Sequence, residues 1–221
     1  MEETEQLLAP SDLRAKNALG KVFLSWNRPE GGRVKTYEIY RGLESGGPYD
    51  LMGSVRAPKF IDKVAGGIRY YYVVKAIDAL GNESKASNEV LRGALHTVRY
   101  QEEACTFKGS WKIQRTWRGT SENFRDSTEP EATASFSFTG SKVTWIAHRD
   151  KNLGIGQVYL DNMYIRSVDL FSVGALYQYP VFESVPLKYG SHTIRIVVTG
   201  KRNPSSTGVA VPVDAFDVVE E

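Results

Sequence analysis

The side chains that could support catalysis are few and scattered along the chain. A cysteine beside a histidine can act as a nucleophile, and a pair of carboxylates can hydrolyse a glycosidic bond. However, a lone cysteine among strand residues is usually a small buried hydrophobe. No Gly-x-Ser-x-Gly turn, phosphate-binding loop or dinucleotide fingerprint occurs. We therefore predict that the chain is not an enzyme. The residues concerned are Cys105, His148 and His192 for the first chemistry and Asp150, Asp161, Asp169 and Asp214 for the second.

Three segments of the second half combine aromatic rings with planar polar side chains: residues 148–156 (HRDKNLGIG), 177–179 (YQY) and 201–203 (KRN). Rings of this kind lie against the apolar C–H patches of a pyranose, and amide and guanidinium groups bind its hydroxyls. Ordinary solvated turns have the same composition, and that alternative stays open. The candidate ligand-binding residues are His148, Arg149, Asn152, Tyr177, Gln178, Arg202 and Asn203, together with Trp111 and Trp117 as possible aromatic platforms.

Composition excludes several classes of protein. The 221 residues are 41% hydrophobic and 24% charged, which is typical of a globular chain and not of a disordered one. No apolar run approaches the roughly 18 residues of a membrane-spanning helix. The net charge is +2 and no long basic run occurs, which argues against a nucleic-acid binder. A single cysteine cannot form an internal disulfide, and the first residues, MEETE, do not resemble a signal peptide.

The pattern along the chain predicts an all-β protein with two domains. We expect residues 1–8 to be a disordered lead. Residues 9–92 contain about seven short alternating segments separated by turns, as in a β-sandwich. Residues 93–221 contain roughly eight to ten such segments, with a hairpin predicted at Asp161-Asn162, which favours a two-sheet jelly roll.

The first domain resembles a fibronectin type III domain. The resemblance rests on residues 22–26 (VFLSW), 37–41 (YEIYR) and 70–76 (YYYVVKA). Trp26 stands in the place of the family's core tryptophan, and Tyr70 in that of the corner tyrosine that ties back to the backbone. Residues 45–49 (SGGPY) are similar to bacterial versions attached to secreted polysaccharide-degrading enzymes. The resemblance implies a spacer domain.

The second domain is similar to the galactose-binding-like jelly rolls that occur as carbohydrate-binding modules on bacterial glycoside hydrolases. Residues 134–143 (ASFSFTGSKV), 156–161 (GQVYLD) and 213–216 (VDAF) carry this resemblance. It implies a sugar site at loops on one edge of the sandwich or on its concave face. It also implies a structural calcium ion held by oxygens of the first and last strands. The candidate calcium ligands are Glu102, Glu103 and Asp217.

Together these resemblances predict a non-catalytic accessory region of a secreted bacterial carbohydrate-active enzyme. The jelly roll would bind an oligo- or polysaccharide, and the catalytic domain of the parent chain would be the second partner. The location would be extracellular or at the cell surface, with the signal peptide outside this fragment. The alternative is a structural or protein-docking module without sugar affinity, which would show an apolar patch and no converging polar groups.

Overall fold

A computed structural model describes residues 6–31, 33–115 and 123–221. Apart from one 3-10 turn, Glu102–Ala104, the described residues form β-strands and their connections, which confirms the all-β prediction. None of the described segments is a helix of the length and hydropathy that crossing a membrane requires. The chain divides into two compact units, residues 1–96 with Glu221, and residues 97–220. The first five residues of the predicted disordered lead lie outside the described residues.

The first unit consists of antiparallel strands in two sheets. Its strands are β1 (Ser11–Ala18), β2 (Lys21–Asn27), β3 (Val34–Gly42), β4 (Asp50–Val55), β5 (Lys59–Lys63), β6 (Arg69–Asp78) and β7 (Val90–Gly93). One sheet has the order β1-β2-β5 and the other the order β4-β3-β6-β7. Strand β2 alternates strictly between exposed and buried residues, so one side faces the core. That side carries Trp26, whose ring meets Tyr37 edge-on with centroids 5.3 Å apart.

The interior hydroxyl bond of the first unit belongs to Tyr72 and not to Tyr70. Tyr72 donates to Oδ2 of Asp62 at 2.9 Å, and Arg41 donates to the same oxygen at 3.0 Å. Tyr70 instead lies beneath the Arg41 guanidinium, 4.4 Å from the ring centroid. In the described part of the chain the Tyr70 hydroxyl has no hydrogen bond, so the predicted tie to the backbone is not observed.

The second unit is a larger sandwich. Its strands are β8 (His96–Gln101), β9 (Thr106–Lys108), β10 (Lys112–Arg115), β11 (Asn123–Ser127), β12 (Thr133–Gly140), β13 (Lys142–Arg149), β14 (Ile155–Leu160), β15 (Met163–Asp169), β16 (Leu176–Glu183), β17 (Gly190–Val198), β18 (Val211–Val213) and β19 (Ala215–Glu220). They form a five-stranded sheet β15-β14-β17-β12-β9, a four-stranded sheet β16-β13-β19-β8 and a small sheet β10-β11-β18.

The core of the second unit lies between its two larger sheets. Phe136 of β12 stacks on Phe216 of β19 at 5.0 Å, and Trp145 of β13 is 0% exposed. Trp145 is therefore a core residue. The predicted hairpin joins β14 to β15, and Asp161 and Asn162 have φ angles of 50° and 67°. Positive φ at both turn positions is what a two-residue type I′ hairpin requires.

Candidate functional site

Several loops of the second unit meet at one place, which we call the loop end. It comprises residues 148–154, 169–172, 176–179 and 201–210. Backbone bridges join Asp150 to Phe171 and Leu153 to Ala210. At Gly154 the chains approach so closely that a Cβ atom would lie 2.3 Å from the carbonyl oxygen of Val209. Only glycine permits this approach, so the loop end is a packed structure and not a set of independent turns.

Two of the predicted site residues anchor the same segment of the loop end. Nη2 of Arg149 donates to the carbonyl oxygens of Phe171 at 2.8 Å and Asp169 at 3.3 Å. Nδ2 of Asn203 donates to the carboxylate of Asp169 at 2.7 Å. The structure thus brings residues from two of the three predicted loops onto one segment, which the sequence pattern did not single out as their meeting point.

The aromatic part of the loop end is formed by β16 and the end of β13. The His148 and Tyr177 rings stack at 5.9 Å with an interplanar angle of 21°. Burial lowers the pKa of His148, so its imidazole is neutral at neutral pH. Tyr177 is 37% exposed and Tyr179 is 40% exposed. Between them Gln178 has a φ of 51°, in the left-handed region, where the pairing of β13 with β16 is irregular.

The remaining predicted site residues have different positions. Asn152 and Arg202 are exposed on the loop end. Trp111 is half-buried against Phe107 at 5.0 Å, and its indole nitrogen donates to the carbonyl oxygen of Lys108 at 3.1 Å. It is therefore packed against β9 and is not a free-standing platform. Trp117 lies outside the described residues.

Sequence reasoning missed a row of side chains on the outer face of the five-stranded sheet. The register places Tyr164, Tyr159, Arg195 and Ser135 side by side on four adjacent strands. The Arg195 guanidinium lies 4.2 Å above the Tyr159 ring, and the two tyrosine rings are 5.6 Å apart. The alternation of buried and outward residues along β14 could have identified Tyr159 as an outward residue. Its neighbours on the adjacent strands could not be identified, because they depend on the order of the strands in the sheet. The row is a second surface with aromatic and planar polar groups.

His192 and Asp161, which the sequence offered separately as a candidate base and a candidate carboxylate, form an ion pair. Nδ1 of His192 lies 2.7 Å from the Asp161 carboxylate, and Nε2 lies 2.8 Å from the carbonyl oxygen of Lys188. These bonds raise the pKa of His192, and the same pair lowers the pKa of Asp161. The two residues border a polar cleft of about 500 Å³. Because both ring nitrogens are engaged, His192 connects β17 to the hairpin and is not a free base.

The cysteine has the properties of an inert thiol. Burial raises the pKa of Cys105 to about 12, and the nearby Glu102 carboxylate adds to the effect. The thiol therefore stays protonated at neutral pH, whereas nucleophilic attack needs the thiolate.

Of the three candidate calcium ligands, only Glu102 has an unsatisfied oxygen. It is 1% exposed, and its Oε2 is buried with no hydrogen-bond partner in the described part of the chain. Glu103 is exposed, and both carboxylate oxygens of Asp217 accept bonds from Arg99 at 2.6 Å. Asp217 is thus paired with an arginine. Near the end of the chain, it is the charge of Asp214 that helps to raise the pKa of Glu102.

Calcium therefore stays a prediction that rests on Glu102. Among the described residues no group of three or more His, Cys, Asp or Glu side chains is arranged to hold a metal ion. A calcium ion bound at Glu102 would satisfy the buried oxygen.

Glu102 should make the stability of the second unit depend on pH. Burial raises the pKa of its carboxyl from 4.5 to about 7. Between these values the folded state holds a proton that the unfolded state has released, so stability falls as pH rises. With a chelator present, we expect a loss of about 3 kcal/mol at most between pH 5 and pH 8. Urea unfolding at several pH values measures it.

Glu102→Gln is the matched variant for this measurement, because it keeps the shape and cannot ionise. The unfolding free energy of this variant should not show the fall between pH 5 and pH 8 that comes from Glu102. If the variant and the native protein depend on pH in the same way, other groups cause the dependence. If calcium binds at Glu102, adding calcium to the native protein should remove the slope and raise the unfolding midpoint.

The comparison with curated proteins finds partial similarity to glycoside hydrolases. No family profile matches the chain. It is 41% identical over 85 residues to an amylopullulanase of Thermoanaerobacterium thermosulfurigenes, which is 38% of this chain and 4% of that protein. It is 39% identical over 66 residues to an A type blood alpha-D-galactosamine galactosaminidase of Flavonifractor plautii, 30% of this chain and 6% of that protein. The chain thus spans only a small part of these relatives.

Solved structures give a similar picture. An Fn3-like protein from Clostridium thermocellum is 33% identical over 37% of this chain and 86% of that chain, with a TM-score of 0.34. A beta-1,2-glucanase from Parabacteroides distasonis is 30% identical over 41% of this chain and 13% of that chain, with a TM-score of 0.37. Over parts of its length, this all-β chain is therefore similar to an Fn3-like protein and to short segments of much larger glycoside hydrolases.

Proposed function

We propose that the chain is a non-catalytic accessory region of a secreted carbohydrate-active enzyme, and that its second unit binds a neutral oligosaccharide at the loop end. The observation that carries this proposal is the pair of exposed rings, Tyr177 and Tyr179, beside planar polar groups. Arg149 and Asn203 are already fixed by bonds to the segment at Asp169. A site with anchored side chains loses little conformational entropy when a ligand binds.

The ring faces and polar groups suit a sugar. A pyranose has an apolar C–H face that packs on tyrosine, and its hydroxyls pair with the exposed side chains of Asn152, Gln178 and Arg202. The rings are only partly exposed, so few contacts remain after the costs of association. We expect a dissociation constant on the order of 10 μM to 1 mM. The affinity should change little with salt, because residues 94–221 hold 14 basic and 14 acidic residues and the ligand is neutral.

The comparisons support the accessory role. The curated relatives named above are glycoside hydrolases, and the matched segments are 4% and 6% of their lengths. Short shared segments in otherwise different large enzymes are typical of accessory domains. In this proposal the first unit is a spacer, because a compact sandwich sets the distance and orientation of neighbouring domains.

A glycan array screened with the intact chain tests the proposal. Pullulan and maltohexaose are the first solution probes, since two different classes of curated relative act on glycans and one is named an amylopullulanase. Calorimetry then gives the affinity at low and high salt. Saturable binding that is insensitive to salt supports the proposal. If no neutral glycan binds, the structural or docking alternative is favoured.

A further inference from the structure

One face of the β1-β2-β5 sheet in the first unit carries a concentration of positive charge. The inward residues of these strands, such as Val22 and Leu24, lie in the core, so the alternate residues point to solvent. We call this surface the cationic face. Its residues, all exposed, are Arg14, Lys16, Lys21, Phe23, Lys59, Ile61 and Lys63.

The strand register places an apolar pair in the middle of the cationic face. Phe23 lies opposite Ile61, and Lys16 lies on the other side of Phe23. The two apolar side chains are 40% and 53% exposed. One rung further along, Lys21 lies opposite Lys63. The apolar pair is thus bordered by cations across the sheet and along it.

Cations also border the opposite end of the apolar pair. Ser25 has Arg14 on one side and Lys59 on the other. Along β5 the residues Lys59 and Lys63 are four positions apart, which is about 13 Å in a strand. A groove of about 680 Å³ follows β1 and β2 beside Phe23. The cations of the face are therefore spread along the strands over a distance that an extended chain can span.

Little negative charge neutralises this surface. Asp12 pairs with Arg14 at 2.8 Å. Within the described residues the four lysines of the cationic face have no ion pair. Among the described residues of this surface, five cations and one carboxylate sum to a net charge of +4, and such a concentration attracts polyanions.

We infer that the cationic face binds a linear acidic polysaccharide built from uronic acid residues. Such a polymer has a carboxylate on every ring, so one chain can reach the cations at both ends of the face together. The apolar faces of the intervening rings can pack on Phe23 and Ile61. This assigns the first unit a ligand of its own, beyond a spacer role, and it does not depend on the loop end of the second unit.

Two other polyanions fit the face less well. Nucleic-acid binding usually relies on more phosphate contacts than five cations supply, with polar side chains to read the bases. An anionic membrane calls for an apolar surface that inserts, and here two side chains are available. Regularly spaced carboxylates joined by pyranose rings match both the charge and the apolar pair.

The test is calorimetry of the intact chain with oligogalacturonate at low salt. The matched ligand is the same oligomer with its carboxylates methyl-esterified. The variant Lys16→Gln/Lys59→Gln/Lys63→Gln removes three charges from the face. The control variant Lys35→Gln/Arg56→Gln/Lys85→Gln removes three exposed charges of the same unit elsewhere. Circular dichroism and the unfolding midpoint verify that both variants fold.

We expect the native chain to bind oligogalacturonate, to bind the esterified form much less, and to lose affinity as salt rises. The face variant should bind about tenfold more weakly or worse, and the control variant should stay near native. Tyr177→Ala should leave this binding unchanged, which separates it from the loop-end proposal. Equal losses in both triple variants, equal binding of the esterified oligomer, or equally tight binding of single-stranded DNA or anionic vesicles would overturn the inference.

Discussion

Replacing Trp26 with alanine should lower the free energy of unfolding of the first unit by about 3–5 kcal/mol. The side chain is 5% exposed and packs edge-on against Tyr37 at 5.3 Å. Its removal leaves a cavity between the two sheets, and the strands on either side are held by backbone ladders that cannot collapse into it. Urea unfolding followed by circular dichroism measures the effect.

Phe23→Ala is the control for this prediction. Phe23 is also an aromatic residue of β2, but it lies on the outward side of the strand. We expect its replacement to change the unfolding free energy by less than about 1 kcal/mol, as is usual for surface positions. Similar losses of unfolding free energy in the two variants would mean that Trp26 and Phe23 do not lie on opposite sides of β2.

Replacing Tyr177 with alanine should weaken glycan binding at the loop end about tenfold or more. The variant loses a ring face that packs on the sugar and also the stack that positions His148. Tyr177 is partly exposed, so the fold should be retained. Calorimetry with the oligosaccharide found in the screen measures the loss, and the unfolding midpoint is determined separately.

Tyr164→Ala is the matched control, because Tyr164 is an exposed tyrosine of the same unit on the five-stranded sheet. Its replacement should leave the affinity near the native value. If Tyr164→Ala weakens binding and Tyr177→Ala keeps the native affinity, the site is instead the row formed by Tyr159, Tyr164 and Arg195. If both variants keep the native affinity, both locations are contradicted.

The strand pattern was predictable wherever one face of a strand is buried and the other is solvated. Residues 22–26 show this alternation in the first unit, and residues 155–160 show it in the second. The turn at Asp161-Asn162 was predictable from its residue types. The hydrogen bond of Tyr72 was not predictable. Tyr70 and Tyr72 point to the same side of β6, and only the position of Asp62 on β5 decides which hydroxyl is satisfied.

For the candidate site, the composition of the loops was informative and the roles of individual residues were not. The density of rings and planar groups identified residues 148–156, 177–179 and 201–203, and the structure brings these loops to one end of the unit. The partners of Arg149 are backbone carbonyls of a segment that had no signal of its own. Asp217 likewise pairs with Arg99, which is 118 positions away in sequence.

The most direct test of the proposed glycan site is to map amide chemical shifts of the intact chain during titration with the neutral oligosaccharide. If the loop end is the site, the largest changes should fall on residues 148–152, 176–179 and 201–203. The strands of the first unit and the row at Tyr159 should stay unchanged. Shifts concentrated on that row or on the first unit, or no saturable shifts with any neutral glycan, would contradict a sugar site at the loop end.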